Sequence, residues 1–152
     1  VHRWLQRIAE DELKGWDAKR VDAERPRFEQ DLVRRGVKAA DLAAESVATA
    51  LKNTLADERG RWLLGPHPEA NSEYRIRSGA KTHVIDRMFR DADGTRWVVD
   101  YKTGRNEGAD VERFLDRERE RYAAQLRRYL QVQEGSRAGL YFPMHRGWRE
   151  VR

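Results

Sequence analysis

The chain has 152 residues and no cysteine, which excludes disulfide bonds, zinc–thiolate sites and cysteine-ligated iron–sulfur clusters. Charged residues make up 38% of it and its formal net charge is +5, a surplus that fits a polyanionic partner and equally an ordinary solubility charge. No apolar run approaches the ~18 residues of a membrane-spanning helix and no signal peptide is visible, so we expect a cytoplasmic protein without a membrane partner.

The first part of the chain has the patterning of helices. Apolar residues recur at helical spacing over residues 1 to about 20, with charged residues between them. Pro26 predicts the first turn of a second helix that ends at Gly36. A third helix, rich in Ala and Leu, is predicted over 38–59 and should be the longest of this part. Two Pro and two Gly within 60–72 then predict a loop.

Short segments with strand-forming residues begin at Glu73 and are separated by turn residues. They predict three strands within 72–104. A helix is predicted next, over 110–135, because apolar and charged residues alternate at helical spacing up to Gly135. The last predicted element is a hairpin that turns at 145–147.

This order of elements predicts an α+β (or α/β) fold. We expect a single domain over 1–152, with a helical part over about 1–60 and a sheet-containing core over about 72–152. No internal repeat and no low-complexity linker interrupts the sequence.

The sequence Asp-Ala-Asp-Gly at 91–94 is a hairpin turn signal between two apolar strands, and its length sets the pairing of those strands. A three-residue loop with Gly94 in the left-handed conformation places Asp86 directly opposite Asp100. A two-residue loop would shift the register by one residue and send the two acids to opposite faces. We favour the three-residue loop because it places both acids on one face together with Lys102.

Two carboxylates facing each other across a sheet, about 4.5–5.5 Å apart at Cβ, repel, and the sheet gains no stability from them. A hard divalent cation would neutralise them, since Mg²⁺ is commonly held by one or two carboxylates, water and phosphate. Together with Lys102, the pair suggests hydrolysis of a phosphodiester. The alternative is structural: Asp100 caps the loop after its strand and Lys102 is an exposed edge residue.

The segment VIDRMFRDADGTRWVVDYKTG, residues 84–104, resembles the paired motif of the PD-(D/E)XK nuclease superfamily. It is most similar to the nuclease domain of bacterial helicase–nucleases of the RecB and AddA type. The resemblance implies that Asp86 and Asp100 are metal ligands and that Lys102 is the catalytic lysine. It also implies that the backbone carbonyl of Tyr101 completes the coordination.

Other segments extend the resemblance from His2 to Tyr129. VHRWLQRI is similar to the first helix of the family, whose histidine reaches the metal, which makes His2 a ligand candidate. QLRRY supplies Gln125 and Tyr129 in the positions of the family's Q-x-x-x-Y signature, four residues apart on one helical face. Glu73 of SEYRI matches the glutamate on the preceding strand and is implied to support catalysis.

The resemblance implies a restriction-endonuclease-like core, in which helices flank a central mixed β-sheet behind an N-terminal helical segment. The activity it implies is an Mg²⁺- or Mn²⁺-dependent deoxyribonuclease similar to exonuclease V, with single-stranded DNA as substrate. Such a domain is the nuclease module of a helicase–nuclease in recombinational repair of double-strand breaks. Its partners would be DNA, the rest of a helicase polypeptide and a partner subunit. The glycine that precedes the family's first-helix histidine has no counterpart before Val1, so we expect a fragment of a longer chain.

Several alternatives remain at this point. Basic residues on the last predicted helix, Arg121, Arg127 and Arg128, either contact DNA phosphates or belong to a solvated face with i,i+4 ion pairs. The chain could be a non-catalytic DNA-binding or assembly module with a nuclease fold. It could also be a stand-alone exonuclease of phage or restriction type.

Overall fold

The structure is a computed structural model that describes residues 1–108 and 110–152. The chain divides into two compact units, Val1–Gly65 and Pro66–Arg152. The first unit is helical and the second contains the sheet, so the predicted α+β class is confirmed. The boundary between the units falls between the predicted helical part and the predicted sheet-containing core.

The first unit consists of four helices: α1 His2–Glu10, α2 Ala18–Arg34, α3 Ala40–Ala56 and α4 Glu58–Leu64. Their apolar faces pack on one another, and Leu5, Ile8, Phe28 and Leu51 are fully buried. The ring of Trp4 meets the ring of Phe28 edge-on, with 4.7 Å between centroids, which joins α1 to α2.

The boundary between the first two helices differs from the prediction. The first helix ends at Glu10, and Leu13 after it has a left-handed backbone with φ +67°. The second helix begins at Ala18, where the Asp17 side chain accepts the Arg20 N–H at 2.8 Å and caps it. Pro26 therefore lies inside α2, at the cost of one backbone hydrogen bond, and the prediction that it opens the helix is wrong.

The end of α2 agrees with the sequence. Gly36 has φ +75°, its N–H donates to the carbonyl of Val33 at 3.0 Å, and the Val37 N–H donates to the carbonyl of Leu32 at 3.0 Å. This pair of hydrogen bonds is the Schellman arrangement that glycine favours, because glycine has no Cβ to strain a left-handed backbone.

Two predictions about the next segment are wrong. Helix α3 has 17 residues, the same length as α2, so it is not the longest of the unit. Residues 60–64, predicted as a loop, belong to α4, where Leu63 and Leu64 are fully buried. Burial of these two leucines outweighs the weak helix propensity of Gly60.

Within its described residues, 66–108 and 110–152, the second unit is a mixed five-stranded sheet with one helix, and its strands lie side by side in chain order. The elements are β1 Asn71–Ser78, β2 Lys81–Arg90, β3 Arg96–Tyr101, α5 Val111–Val132, β4 Arg137–Phe142 and β5 Gly147–Val151. Only β3 and β4 pair in parallel, because α5 carries the chain back between them. The closing hairpin is present as predicted.

Helix α5 packs on one face of this sheet. Asp110 caps the helix by accepting the Arg113 N–H at 3.0 Å. Leu126 and Tyr129 of α5 are buried in a cluster with Val98 of β3 and Ile85 of β2. The opposite face of the sheet also carries buried side chains, including Phe89, Trp97, Tyr101 and Tyr141.

None of the helices formed by residues 1–108 and 110–152 has both the length and the apolar character needed to cross a bilayer.

Candidate functional site

The turn between β2 and β3 is a three-residue loop, as predicted. The Asp91 N–H donates to the carbonyl of Thr95 at 2.9 Å, and the Gly94 N–H donates to the carbonyl of Asp91 at 3.0 Å. Gly94 is left-handed, with φ +80°. The strands pair with Arg87 opposite Val99, which is the register required to bring the two predicted acids together.

The pairing of β2 with β3 ends there, and Asp86 and Asp100 are the next residues along the two strands. The Asp86 N–H donates to Oδ1 of Asp100 at 3.2 Å, and the Tyr101 N–H donates to Oδ2 of Asp86 at 2.7 Å. Each carboxylate therefore accepts a backbone N–H of the neighbouring strand. These two bonds fix the orientation of both acid groups.

The two acids form a local concentration of negative charge. Asp100 is 5% exposed and Asp86 is half-buried. Burial raises the pKa of the Tyr129 hydroxyl, and the Asp100 carboxylate raises it further. Burial also raises the pKa of Tyr101, with a smaller increase from the two acids and an opposing effect of Arg87. No third carboxylate or imidazole joins the pair in a metal-binding group within residues 1–108 and 110–152.

The backbone is irregular where these acids lie. Ile85 belongs to the cluster under α5 together with Val98, whereas Arg87 pairs with Val99 and so points to the opposite face. Residues two apart on a strand normally share a face, so the alternation of side chains breaks at Asp86. Such irregularities in strand pairing are common beside active sites, where they redirect a side chain.

Glu73 lies across from Asp86 on β1, in the register that pairs Ser72 with Arg87 and Tyr74 with Ile85. Its backbone is left-handed, with φ +53°, and its side chain is exposed. A non-glycine residue in this conformation is strained by about 1–3 kcal/mol, and such strain concentrates at functional sites. The register therefore places Glu73 opposite Asp86 across the β1–β2 pair. Among the described residues, Glu73 does not join a metal-binding group of three acids.

Lys102 directly follows β3, and its N–H donates to the carbonyl of Tyr141 at 2.9 Å, which continues the parallel pairing. Its ammonium lies 3.9 Å from the centre of the Tyr122 ring on α5. This cation–π contact holds the lysine on the side of the sheet that α5 covers. The guanidinium of Arg121 lies 5.4 Å from the centre of the same ring.

Gln125 and Tyr129 lie on one face of α5, as their spacing predicts. The side-chain amide of Gln125 donates to the Tyr129 hydroxyl at 2.7 Å. The Tyr129 ring also lies 5.5 Å from the ring of His83, between centroids. Arg128 is exposed on the same helix, and its charge opposes the rise in the Tyr129 pKa.

The arginines of α5 serve different purposes. Arg121 is 70% exposed and lies 3.9 Å from a carboxylate oxygen of Glu118, three residues earlier in the helix. An exposed ion pair of this kind stabilises the fold only weakly. Arg127 donates to the backbone carbonyl of Arg152 at 2.9 Å and so connects the helix to the end of β5.

His2 and the carbonyl of Tyr101 complete the predicted set. His2 is the first residue of α1 in the first unit and is exposed. Tyr101 ends β3 with its ring buried. The roles of these two groups as metal ligands stay predictions.

Sequence reasoning missed Arg87, a buried arginine that follows Asp86 in β2. It is 3% exposed, and its guanidinium lies 5.5 Å from the centre of the Phe89 ring. Burial lowers its pKa, partly offset by Tyr101. The signal in the sequence is an arginine enclosed by apolar residues within VIDRMF, where a surface residue would not be expected.

The loop after Lys102 is connected to the turn between β4 and β5. The Asn106 N–H donates to Nε2 of His145 at 2.9 Å, and the His145 ring lies 5.5 Å from the Phe114 ring, between centroids. Accepting this bond requires a neutral imidazole. Burial lowers the pKa of His145, and the charge of Arg105 lowers it further.

Acid should therefore destabilise the fold through His145. The pKa of His145 is lower in the folded than in the unfolded chain, so at a pH between these two pKa values the unfolded chain binds more protons. The free energy of unfolding therefore falls as the pH drops below about 6.5. Urea unfolding should show that the parent loses up to about 1 kcal/mol more than His145→Gln between about pH 7.5 and pH 5.5. Equal losses in the two proteins would contradict this role.

Comparison of the chain with known protein families and with curated proteins gives no match in either case.

Proposed function

We propose that the chain is a metal-dependent deoxyribonuclease with a restriction-endonuclease-like core of the PD-(D/E)XK type. The observation that supports it most is the convergence of Asp86 and Asp100, whose carboxylates accept N–H groups from each other's strands. Two acids placed in this way weaken a sheet unless a cation lies between them. A scaffold role for the pair would not require them to face each other.

The donor set fits a hard divalent cation such as Mg²⁺ or Mn²⁺. Asp86 and Asp100 both offer carboxylate oxygens, which are the ligands that these cations take in proteins, and an ionised carboxylate can accept about four hydrogen bonds or ligand contacts in total. Water and substrate phosphate would supply the remaining ligands. When bound, such a cation lowers the pKa of a coordinated water and offsets charge on the phosphate.

The surrounding residues have distinct proposed tasks. Lys102, held over the Tyr122 ring, orients the attacking water or stabilises the negative charge that develops on the phosphate. Tyr129, fixed by Gln125, adds a positioned hydroxyl close to the acids. Exposed Arg121 and Arg128 offer charges for phosphate contacts along α5.

The family resemblance supplies the rest of the proposal. It adds His2, Glu73 and the Tyr101 carbonyl to the metal site, and it gives single-stranded DNA as substrate. It also suggests the setting: the nuclease module of a cytoplasmic helicase–nuclease that acts in recombinational repair. The partners would then be DNA, the remaining helicase polypeptide and a second subunit. Support for these points comes from the order of the motifs between His2 and Tyr129.

The test is metal-dependent cleavage of end-labelled single-stranded DNA. We expect fragments with Mn²⁺ or Mg²⁺ and intact substrate with EDTA, because the bound metal activates the water that attacks the phosphate. Denaturing gels measure the products, and a duplex of the same sequence tests the strand preference. Binding without cleavage under every metal condition would contradict the enzyme and support the non-catalytic DNA-binding module.

A further inference from the structure

The β1–β2 hairpin extends beyond the point where β3 ends. Strand β3 stops at Tyr101, which the register places opposite Ile85, while β2 begins four residues earlier at Lys81. Residues 74–85, here called the arm, therefore continue as a two-stranded ribbon past the acid pair. At about 3.3 Å per residue, the four residues of β2 before Ile85 extend about 13 Å beyond the end of β3.

The two faces of the arm differ. Ile76 is 2% exposed and belongs to the cluster beneath α5, and His83, opposite it, contacts Tyr129. Alternation places Arg75 and Arg77 on the other face, and both are exposed. Val84 lies opposite Arg75 and is 47% exposed, so this face also presents an apolar surface.

The arm is basic along its whole length. It contains Arg75, Arg77 and Lys81 and no Asp or Glu, whereas 26 acids in 152 residues would place about two in a segment of this length. None of these three cations forms an ion pair within the described part of the chain. Some other cations of the second unit do form ion pairs, as Arg90 does with Glu69 at 2.7 Å and Arg137 does with Glu150 at 2.6 Å.

We propose that the exposed face of the arm binds the phosphate backbone of a single nucleic-acid strand close to the acid pair. Arg75 and Arg77 lie about 6.6 Å apart along β1, which lets them contact neighbouring phosphates of one strand. Arg75 is two residues from Glu73, and Glu73 lies across from Asp86, so a strand held on this face passes close to the acid pair. This inference rests on the proposed function, and it assigns the site its substrate-binding surface.

A different explanation is available for charged residues on an edge strand, since they prevent sheets from pairing edge to edge. That explanation predicts that loss of the charges causes aggregation and leaves the affinity for DNA unchanged. The two explanations therefore differ in a quantity that can be measured directly.

The experiment uses the full chain carrying Asp100→Asn, in EDTA, so that binding is measured without cleavage. The probe is a fluorescent oligothymidylate of about 20 nucleotides, longer than the ~4–16 that one binding groove covers. We expect Arg75→Gln/Arg77→Gln to weaken binding about tenfold at ~0.1 M salt. The slope of log K against log salt should decrease in magnitude by about 1.4, since each phosphate contact on a single strand contributes about 0.7.

Two matched variants separate the arm from total charge. Arg34→Gln/Lys38→Gln removes the same charge from exposed positions of the first unit and should leave the slope unchanged. Arg75→Lys/Arg77→Lys keeps the charge and should keep most of the slope. If circular dichroism shows that the Gln double variant is unfolded, Arg77→Gln alone tests the arm instead, with an expected decrease of about 0.7 in slope.

Unchanged affinity and slope in the folded arm variants, or an equal decrease in the Arg34/Lys38 control, would overturn the proposal. So would substitutions that reduce binding to phosphatidylserine vesicles and leave oligothymidylate binding intact, because the partner would then be a lipid surface. The assay is independent of catalysis. If the parent cleaves DNA and the arm variants bind it as tightly as before, only the role of the arm is refuted. If the arm variants bind more weakly and the parent never cleaves DNA, only the nuclease activity is refuted.

Discussion

Asp100→Asn is expected to reduce metal-dependent cleavage by at least about 100-fold while leaving the fold intact. Substitution of partners that merely support a metal ligand already costs ~10–100-fold, so loss of a ligand charge should cost more. The Asn side chain keeps an oxygen that accepts the Asp86 N–H, now at 3.2 Å, so the strands should stay paired. Initial rates on labelled single-stranded DNA at saturating Mn²⁺ measure the effect.

The control for this variant is Asp93→Asn, which removes the same charge from an exposed position of the adjoining turn. It should cleave like the parent, and it also controls for a contaminating nuclease in the preparation. If Asp100→Asn cleaves DNA at a rate close to that of Asp93→Asn, the proposed metal site is wrong.

The same pair of variants links metal binding to stability. A ligand that binds only the folded chain stabilises it by about 2.7 kcal/mol when its concentration is 100 times its Kd. Mn²⁺ should therefore raise the melting temperature of the parent and of Asp93→Asn, and that of Asp100→Asn much less. An equal rise in all three proteins would indicate binding at some other place.

Gly139→Ala is expected to destabilise the fold by about 1–3 kcal/mol through overpacking. A Cβ at Gly139 would lie 2.1 Å from Cη2 and 2.5 Å from Cζ2 of Trp148, far inside van der Waals contact. Trp148 would have to leave its edge-on contact with Trp97, where the ring centroids are 5.6 Å apart. Strand β4 lies between β3 and β5, so the change disturbs the middle of this half of the sheet. Urea unfolding measures the loss.

Gly104→Ala is the matched comparison, because the nearest atom to its Cβ would be in Phe114 at an ordinary 3.8 Å. The double variant Gly139→Ala/Trp148→Leu should recover part of the stability, since the smaller side chain removes the clash. Equal stability of the Gly139 and Gly104 variants would show that Trp148 moves aside without cost.

The turn residues at 91–94 predict a hairpin, and the three-residue loop is preferred to a two-residue loop because it brings Asp86 and Asp100 together. Gly94 permits the left-handed backbone of a three-residue loop, and that loop length fixes the register of β2 on β3. The same kind of local signal predicted the end of α2 at Gly36 and the pairing of Gln125 with Tyr129. These features depend on residues close together in the chain, so the sequence by itself determines them.

Other features depend on distant packing and were not predictable in this way. The helical turn over 60–64 forms because Leu63 and Leu64 are buried, although the local composition is typical of a loop. Pro26 is accommodated within α2 because the Asp17 cap starts that helix earlier. In both places a tertiary or capping interaction outweighs the unfavourable helix propensity of a single glycine or proline, which is about 1–3 kcal/mol.

At the candidate site, too, some features follow from the local sequence and others from the tertiary structure. The sequence alone determined the identity of the acids, the lysine that follows them and the register that makes the acids face each other. Only the tertiary structure decided how the carboxylates are held, by N–H groups of neighbouring strands, and that the alternation breaks at Asp86 opposite a strained Glu73. Side-chain orientation at such an irregularity follows from packing on both faces of the sheet, with α5 on one and buried Arg87 on the other, and no local pattern encodes that packing.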